Sequence, residues 1–187
     1  MFNLSTQEVV LSIEKSPLRI VHGTMYQEYQ DFFGKEFSLP ALDGKIFTTM
    51  ESWYKDHQEK NKPRRRLDYN DELMKKIKIL FMNTNITGAL EKKFNTSLLF
   101  DSADIWIDDI GYKLLPHKDD SRIKLALQIY LSDNNEGTSL YDNDGNIRYT
   151  FPFKFNSGYA LYNGMYSTHG VEEIENNGRT SLYVRYR

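Results

Sequence analysis

The sequence predicts an α+β fold with a mainly β core, a small sandwich or rolled barrel covered by a helical N-terminal layer. Apolar residues recur at helical spacing in much of the first hundred residues, and from about Leu98 the period shortens toward two. Aromatic residues, which favour sheets, make up 14% of the chain, with 13 Tyr and 11 Phe. A chain of 187 residues fits one domain of ordinary size. We therefore expect a single domain over 1–187, mainly helical in 1–100 and mainly β in 101–187.

The composition excludes several kinds of chemistry. There is no Cys, which rules out disulfides, thiol nucleophiles and thiolate metal sites, so any metal must be bound by His and carboxylate. The formal net charge of −2 gives no general attraction to nucleic acid or to a membrane surface. The N-terminus lacks the pattern of a signal peptide, and no stretch approaches the ~20 apolar residues of a membrane span. We therefore expect a cytoplasmic protein without a membrane partner.

Several short elements are predicted before residue 100. Alternating apolar residues in "EVVLSIEKSPLRIV" (8–21) predict one or two early strands. The segment "TMYQEYQDFFG" (24–34) opens with a capping-box pattern and predicts a helix. Most of 35–69 is predicted to be loop around a short helix at "TTMESWYKDHQ" (48–58). Two clearer helices are predicted by helical spacing, one around Leu73, Ile77 and Leu80 and one around Ile86, Leu90 and Phe94.

The second half of the sequence has the alternation of short strands. In "KLALQIYL" (124–131) apolar residues alternate with more polar ones, so one face of that strand meets apolar packing and the other a more polar environment. The segment "DNDG" (142–145) is a strong signal for a tight turn between two strands. Together these patterns predict roughly seven or eight short strands after the helical part.

One short stretch combines a histidine and a carboxylate. In "YKLLPHKD" (112–119) His117 and Asp119 are two positions apart, so on a strand they project from the same face. An imidazole and a carboxylate without any thiolate suit a divalent, iron-like ion. The pair alone proves little, because a surface strand carries the same triplet by chance. A third ligand is available in His169, which small neighbours flank in "MYSTHGVEEI" (165–174).

A candidate anion clamp follows the distal histidine. Arg179 lies 10 residues after His169, and Arg179 and Ser181 again occupy positions i and i+2 of a predicted strand. A planar guanidinium with a neighbouring hydroxyl is suited to bind a carboxylate through several hydrogen bonds. A metal site beside such a clamp implies a small acid that chelates the metal at one end and is anchored at the other.

These motifs together identify a family resemblance. The segments "PHKD", "THG" and "GRTSLYVRY" resemble the iron(II)- and 2-oxoglutarate-dependent oxygenases, whose pattern is His-x-Asp, a distal His and a later Arg, often in Arg-x-Ser. The resemblance extends from about Ile105 to the C-terminus and is to the prolyl-hydroxylase-like branch with its phage and bacterial relatives. It implies a double-stranded β-helix, or jelly roll, with a helical N-terminal layer, and makes 101–187 the metal- and co-substrate-binding core.

The resemblance also implies roles for individual residues. His117, Asp119 and His169 would be the catalytic ligands of Fe(II), while Arg179, assisted by Ser181, would bind the far carboxylate of 2-oxoglutarate. Molecular oxygen would be the other co-substrate, and succinate and carbon dioxide would be products. The reaction would be hydroxylation of a C–H bond in an unidentified substrate, either a small molecule or a peptidyl residue.

Tyrosines supply further candidates. Tyr130 lies on the less apolar face of its predicted strand, and we expect it to contact the co-substrate. Four others, Tyr112, Tyr159, Tyr162 and Tyr166, either line a pocket or pack in the core. The remaining histidines, His22 and His57, have no second donor at useful spacing and are expected to be ordinary surface or loop residues.

Two alternative functions stay open at this stage. The segment "RTSLYVR" also matches the Arg-x5-Arg end of the oxidative nucleic-acid demethylases, although their interval from the distal His to the first Arg is longer than here. The segment "PRRR" (63–66) would then contact phosphates, but we expect a solvated loop and no nucleic-acid partner. The second alternative is a non-catalytic metal-binding jelly-roll module. The sequence leaves the oligomeric state and the primary substrate open.

Overall fold

Helices and strands are both present in the N-terminal part, and strands dominate after residue 100. The computed structural model describes residues 5–29, 47–49, 64–67 and 72–187, with the backbone alone for 47–49. The helices are α1 Thr6–Lys15, α2 Glu72–Phe81 and α3 Thr84–Phe94. The strands are β1 Leu18–Val21, β2 Thr24–Tyr29, β3 Phe47–Thr49, β4 Arg64–Leu67, β5 Phe100–Asp108, β6 Leu114–His117, β7 Leu125–Tyr130, β8 Thr138–Tyr141, β9 Ile147–Phe151, β10 Gly158–Tyr162, β11 His169–Val171 and β12 Arg179–Tyr186. None of these helices has the length and apolarity needed to span a bilayer.

The strands form two antiparallel sheets. The large sheet has the order β1-β2-β10-β7-β12-β5-β4-β3, and the small sheet has the order β6-β11-β8-β9. Eight of the strands, β5 to β12, follow residue 100, as the alternation predicted. The chain moves back and forth between the sheets, which is the arrangement of a double-stranded β-helix. The predicted fold class is therefore confirmed, including the helices that cover the β core.

One face of the large sheet is buried under the helices. Leu127 on β7 and Leu182 on β12 share a core cluster with Ile13 of α1, Ile77 of α2 and Leu90 of α3. The predicted helices α2 and α3 bury the apolar positions whose spacing predicted them. The side chain of Asn83 caps α3 by accepting a hydrogen bond from the backbone N–H of Asn85. The opposite face of the same sheet is turned toward the small sheet and forms the interior of the barrel.

Two predicted elements near the N-terminus are wrong in type. Residues 6–15 form α1, where a strand was expected, because Ser5 and Glu8 make a reciprocal capping box and Val9 and Ile13 are buried one helical turn apart. Only the part after Pro17 forms a strand, β1. The segment predicted as a helix from Thr24 is instead β2, which pairs with β1 on one side and β10 on the other. Pairing on both sides outweighs the local capping signal.

The region predicted as loop also contains strands. Residues 64–67 form β4, which pairs with β3 and with β5. The first residues of the short helix predicted at 48–58 belong to β3, and the rest of that segment lies outside the described residues. The predicted turn at 142–145 is confirmed: the Asp142 carboxylate accepts hydrogen bonds from the backbone N–H groups of Asp144 and Asn146, and Gly145 has a positive φ of 83°.

The close contact of β10 with β7 gives a test of the sheet. A Cβ atom added at Gly158 would lie 2.2 Å from the backbone oxygen of Gln128, so Gly158→Ala should force the two strands apart. We expect the free energy of unfolding, measured by urea denaturation, to fall by about 1–3 kcal/mol. Gly164→Ala is the matched control, because nothing lies within 4 Å of its added Cβ and its change should stay within about 0.5 kcal/mol. Equal stability of the two variants would contradict this packing.

Candidate metal centre and its cavity

A cavity of about 590 Å³ lies inside the barrel, and the predicted metal ligands line it. One ligand atom from each of His117, Asp119 and His169 lies within 4.8 Å of the other two. The two imidazole rings are 4.6 Å apart between centroids, and the Asp119 Oδ1 atom is 3.9 Å from Nε2 of His169. Residues that are 50 positions apart in the sequence thus converge at one point in space.

Strand pairing in the small sheet produces this convergence. Antiparallel β11 pairs with β6 so that His169 lies directly opposite His117. Strand β6 ends at His117, so Asp119 projects from the loop that follows rather than from the strand itself. The sequence prediction that all three side chains meet is therefore matched by the geometry, although only two of them lie on strands.

Backbone carbonyls orient both imidazoles. Nδ1 of His117 donates to the carbonyl oxygen of Leu115 over 3.0 Å, and Nδ1 of His169 donates to that of Ser167 over 2.9 Å. A carbonyl oxygen only accepts, so the proton of each neutral ring is placed on Nδ1. Nε2 of each ring is then the atom that could bind a metal.

A tyrosine that no sequence motif singled out, Tyr183, orients the carboxylate. The hydroxyl of Tyr183 on β12 donates to Oδ2 of Asp119 over 3.0 Å, which leaves Oδ1 facing His169. Burial, and secondly the negative charge of Asp119, raise the pKa of Tyr183 well above its ordinary value. The phenol therefore stays protonated and remains a donor. Only its i+2 position after Ser181 on the strand could have indicated this role.

Asn163 connects the two loops that position the ligands. Its side-chain amide donates to the backbone carbonyls of Asp119, Asp120 and Ile123 over 3.3, 3.2 and 2.9 Å. Its side-chain oxygen accepts a hydrogen bond from the Ser167 hydroxyl over 2.8 Å. The carbonyl of Ser167 is the one that orients His169. No sequence motif singled out Asn163, because the three carbonyls that its amide bonds to are 40 or more positions away.

The predicted anion clamp is buried beside a carboxylate. Arg179 is 1% exposed; its Nε donates to Oδ2 of Asp108 over 2.9 Å and its Nη1 to the carbonyl of Glu136 over 2.9 Å. The other oxygen of Asp108 lies 2.7 Å from Nε of Arg64. These contacts hold the guanidinium in one orientation at the cavity wall, and its remaining N–H groups are available to an anionic ligand.

Ser181 belongs to a hydrogen-bonded group below the cavity. Its hydroxyl accepts from the amide of Gln128 over 3.1 Å. The side-chain oxygen of Gln128 accepts from Thr138 over 3.2 Å and from the Tyr159 hydroxyl over 2.8 Å. Gln128, Thr138 and Tyr159 line the cavity. Ser181 lies on the same strand face as Arg179, as predicted, but it bonds to Gln128 on the neighbouring strand β7.

Tyr130 is fully buried and stacks on Phe153, with 3.9 Å between ring centroids. Its hydroxyl makes no hydrogen bond of ordinary geometry within the described ranges. Burial raises the pKa of Tyr130, while the charge of Arg179 acts in the opposite direction. A buried hydroxyl that feels the charge of Arg179 is a suitable donor for a ligand bound by that arginine.

The other tyrosine and histidine candidates divide between the cavity and the core. Tyr112 and Tyr159 line the cavity. Tyr162 stacks on Phe94 of α3, and the ring of Tyr166 packs edge-on against His22. The structure thus places His22 outside the cavity, and His57 lies outside the described residues.

The arginines expected in a solvated loop instead form part of the cavity wall. Arg64 and Arg66 on β4 line the cavity, whereas Arg65 between them faces outward and binds Asp109 through two hydrogen bonds of 2.8 and 2.9 Å. The guanidinium of Arg64 lies 4.3 Å from the centroid of the Trp106 ring. Alternation along a strand explains the division. Because 63–66 was predicted to be a loop, the alternation of Arg64, Arg65 and Arg66 between two faces of a strand was not predicted.

Comparison with known proteins reveals likeness in structure only. No protein-family model and no curated protein sequence matches the chain. An oxidoreductase of the 2OG-Fe(II) oxygenase family from Burkholderia pseudomallei has a TM-score of 0.66 and 15% identity, covering 100% of this chain and 92% of its own. A prolyl hydroxylase from Trichoplax adhaerens, in complex with a hypoxia inducible factor peptide, has a TM-score of 0.63 and 12% identity, with 97% and 88% covered.

A third similar structure belongs to an enzyme with a different reaction. The non-heme, α-ketoglutarate-dependent epimerase SnoN from nogalamycin biosynthesis has a TM-score of 0.62 and 9% identity, covering 97% of this chain and 82% of its own. At such low identities the likeness establishes the fold and not the activity. The chain has the double-stranded β-helix fold of the 2OG-Fe(II) oxygenases.

Proposed function

We propose that this protein is an iron(II)- and 2-oxoglutarate-dependent dioxygenase that hydroxylates a C–H bond of a small molecule or a peptidyl residue. The observation that supports it most directly is the convergence of His117, Asp119 and His169 within 4.8 Å. They lie in a cavity whose wall also includes the buried guanidinium of Arg179.

The donor set fits Fe(II). Two imidazoles with Nδ1 already hydrogen-bonded and one carboxylate with one oxygen held by Tyr183 form the facial set of ligands typical of non-haem iron oxygenases. Iron with 2-oxoglutarate and oxygen, when bound, supplies an oxidative decarboxylation that yields succinate and carbon dioxide and oxidises a C–H bond. No Cys is present to favour a softer metal.

The protein's own residues bind and orient the reactants. His117, Asp119 and His169 would hold the ion, which would bring the co-substrate and oxygen together in the cavity. Arg179 binds the distal carboxylate, since it keeps free N–H groups after its bonds to Asp108 and Glu136. Tyr130 donates its buried hydroxyl to the same carboxylate. Ser181, two residues after Arg179 on β12, assists Arg179 in binding this carboxylate.

Hydroxylation is the proposed outcome, although the fold also supports another reaction, as the epimerase among the similar structures illustrates. Succinate release with a substrate panel separates an enzyme from a metal-binding module without turnover. A product heavier by one oxygen atom then distinguishes hydroxylation from epimerisation, which leaves the mass unchanged.

The metal site predicts a spectroscopic signature. Anaerobic addition of Fe(II) and 2-oxoglutarate should produce a visible metal-to-ligand charge-transfer band, and His117→Ala or His169→Ala should abolish it because each removes a ligand. His22→Asn is the control: His22 lies outside the cavity, and Asn tolerates its positive φ of 48°. A folded, metal-loaded wild-type protein without the band would refute the proposed function.

The arginine clamp predicts a selective loss of co-substrate affinity. Arg179→Gln should weaken 2-oxoglutarate binding, measured by titration of the same band, by on the order of 2–5 kcal/mol, because a buried anion loses its charged partner. Arg179→Lys should recover part of the loss, since it restores the charge without the planar fork. The exposed Arg187→Gln should bind normally. Unchanged affinity in Arg179→Gln would contradict the clamp.

The bridging role of Asn163 predicts an effect on the metal. Asn163→Ala removes the hydrogen bonds that join the Asp119 loop to Ser167, so metal affinity, measured calorimetrically with Fe(II) under anaerobic conditions, should fall by about 10–100-fold. Asn163→Asp keeps the acceptor but loses the donors and should also bind weakly.

Two controls separate positioning from general destabilisation. Ile77→Val in α2 should lose about 0.5–1.5 kcal/mol of stability with unchanged metal affinity, because Ile77 packs under the opposite face of the sheet. Asn143→Ala in an exposed turn should change neither property. If Asn163→Ala bound Fe(II) like Ile77→Val, Asn163 would have a purely structural role.

A further inference from the structure

On the cavity face of the large sheet, arginines of two strands pair with carboxylates of the strand between them. On β12 Arg179, Tyr183 and Arg185 line the cavity, and strand β5 pairs along β12 throughout. Asp108 lies between Arg64 and Arg179, and Asp104 lies between Arg66 and Arg185. In the described part of the chain, each buried carboxylate of this wall is thus shared by two guanidiniums.

The two arginine pairs lie at different levels of the large sheet. Arg64 and Arg179 both lie opposite Asp108. Asp104 lies opposite Tyr183, which bonds to the proposed metal ligand Asp119, and Arg185 is two residues beyond Tyr183 on β12. Arg66 is at the level of Ser181, between the two carboxylates. A co-substrate that reaches from the metal to Arg179 therefore extends away from Asp104 and Arg185.

The contacts within the Arg66, Asp104 and Arg185 cluster are long. Nη1 of Arg66 is 3.8 Å from Oδ1 of Asp104, and Nη2 of Arg185 is 3.7 Å from Oδ2. Both distances exceed those of hydrogen bonds. Arg185 has a second contact, from its Nε to the Ser102 hydroxyl over 2.8 Å, and its side chain is 36% exposed. Both arginines thus meet Asp104 at ion-pair distance, and these two atom pairs are not hydrogen bonds.

Asp104 supplies an independent sign of a ligand. The residue is 2% exposed and lines the cavity, yet its Oδ1 atom accepts no hydrogen bond within the described ranges. A buried carboxylate oxygen without a donor is costly unless a ligand or water satisfies it. A donor group on a bound molecule, such as a hydroxyl or an amine, would satisfy this acceptor.

We infer that the primary substrate is a small molecule with a phosphate or carboxylate group, bound by Arg66 and Arg185, and a neighbouring hydroxyl or amine that donates to Asp104. This inference rests on the proposed function, whose open metal positions it places beside the substrate. Guanidiniums bind both anions through paired hydrogen bonds. The cavity volume of about 590 Å³ is in the range that small molecules occupy, and the outward-facing Arg65 is bound to Asp109.

Matched probes on one carbon skeleton test this inference. Protein loaded anaerobically with Fe(II) and saturated with 2-oxoglutarate is titrated calorimetrically with glycerol 1-phosphate, with glycerate and with neutral glycerol. We expect saturable binding of at least one of the anions and none of glycerol. The anion that binds identifies the source as a phosphate or a carboxylate. Higher salt should weaken the binding.

Variants assign the binding to the cluster. Arg66→Gln and Arg185→Gln should each weaken binding by roughly tenfold or more, whereas Arg65→Gln should leave it unchanged. Arg66→Lys should retain part of the affinity, which guards against a folding defect in the Gln variant. The charge-transfer band should persist in all four, because the ion pairs of these side chains are with Asp104 and Asp109.

The outcomes separate this inference from the proposed function. If neither anion binds to wild-type protein, or if binding survives Arg66→Gln and Arg185→Gln, the inference is wrong even when the charge-transfer band is present. Binding of a single-stranded oligonucleotide without either small anion would also overturn it. If the band itself is absent, the proposed function fails, and the same titrations still report on Arg66 and Arg185 directly.

Discussion

The large sheet must bury both of its faces, and the two faces have opposite chemistry. Because side chains alternate along a strand, β5 can turn Ala103 and Ile105 toward the helices while Asp104 and Asp108 face the barrel interior. The apolar face under the helices needs only close packing and no partner at a defined position. A buried carboxylate, in contrast, needs charged or hydrogen-bonding partners at defined positions. The cavity therefore depends on the strand register more strictly than the apolar core does.

Strand register also explains why each buried carboxylate lies next to two arginines. Arg179 and Arg64 lie opposite Asp108 on the strands that flank β5, so one carboxylate orients two guanidiniums. Buried ion pairs of this kind contribute little net stability, because the desolvation of both charges offsets their attraction. Their effect is to hold donors in place before a ligand arrives, which reduces the conformational entropy lost when an anion binds. In the same way, the hydrogen bond from Tyr183 holds the carboxylate of Asp119 in place at the candidate metal centre.

Local sequence patterns predicted those parts of the fold that local interactions determine. Helices α2 and α3 and the turn after Tyr141 form as predicted, since their spacing, caps and turn residues lie within a few positions of one another. The early elements were misassigned because both periods fit them: Val9 and Ile13 satisfy a strand as well as a helix, and only burial distinguishes the two. For β2 and β4, pairing with strands distant in sequence determined the outcome.

The sequence by itself determined the chemical inventory of the site and its spacing. A chain without Cys, with His-x-Asp, a distal His and a later Arg-x-Ser, already contained the candidate ligands and clamp. Only the tertiary structure decided which polar residues join them. Asn163 bridges the two ligand loops, Tyr183 orients Asp119, and Arg66 faces the cavity. The physical reason is that hydrogen bonds and ion pairs act between atoms a few ångströms apart, whereas these partners are brought together by sheet pairing across dozens of residues.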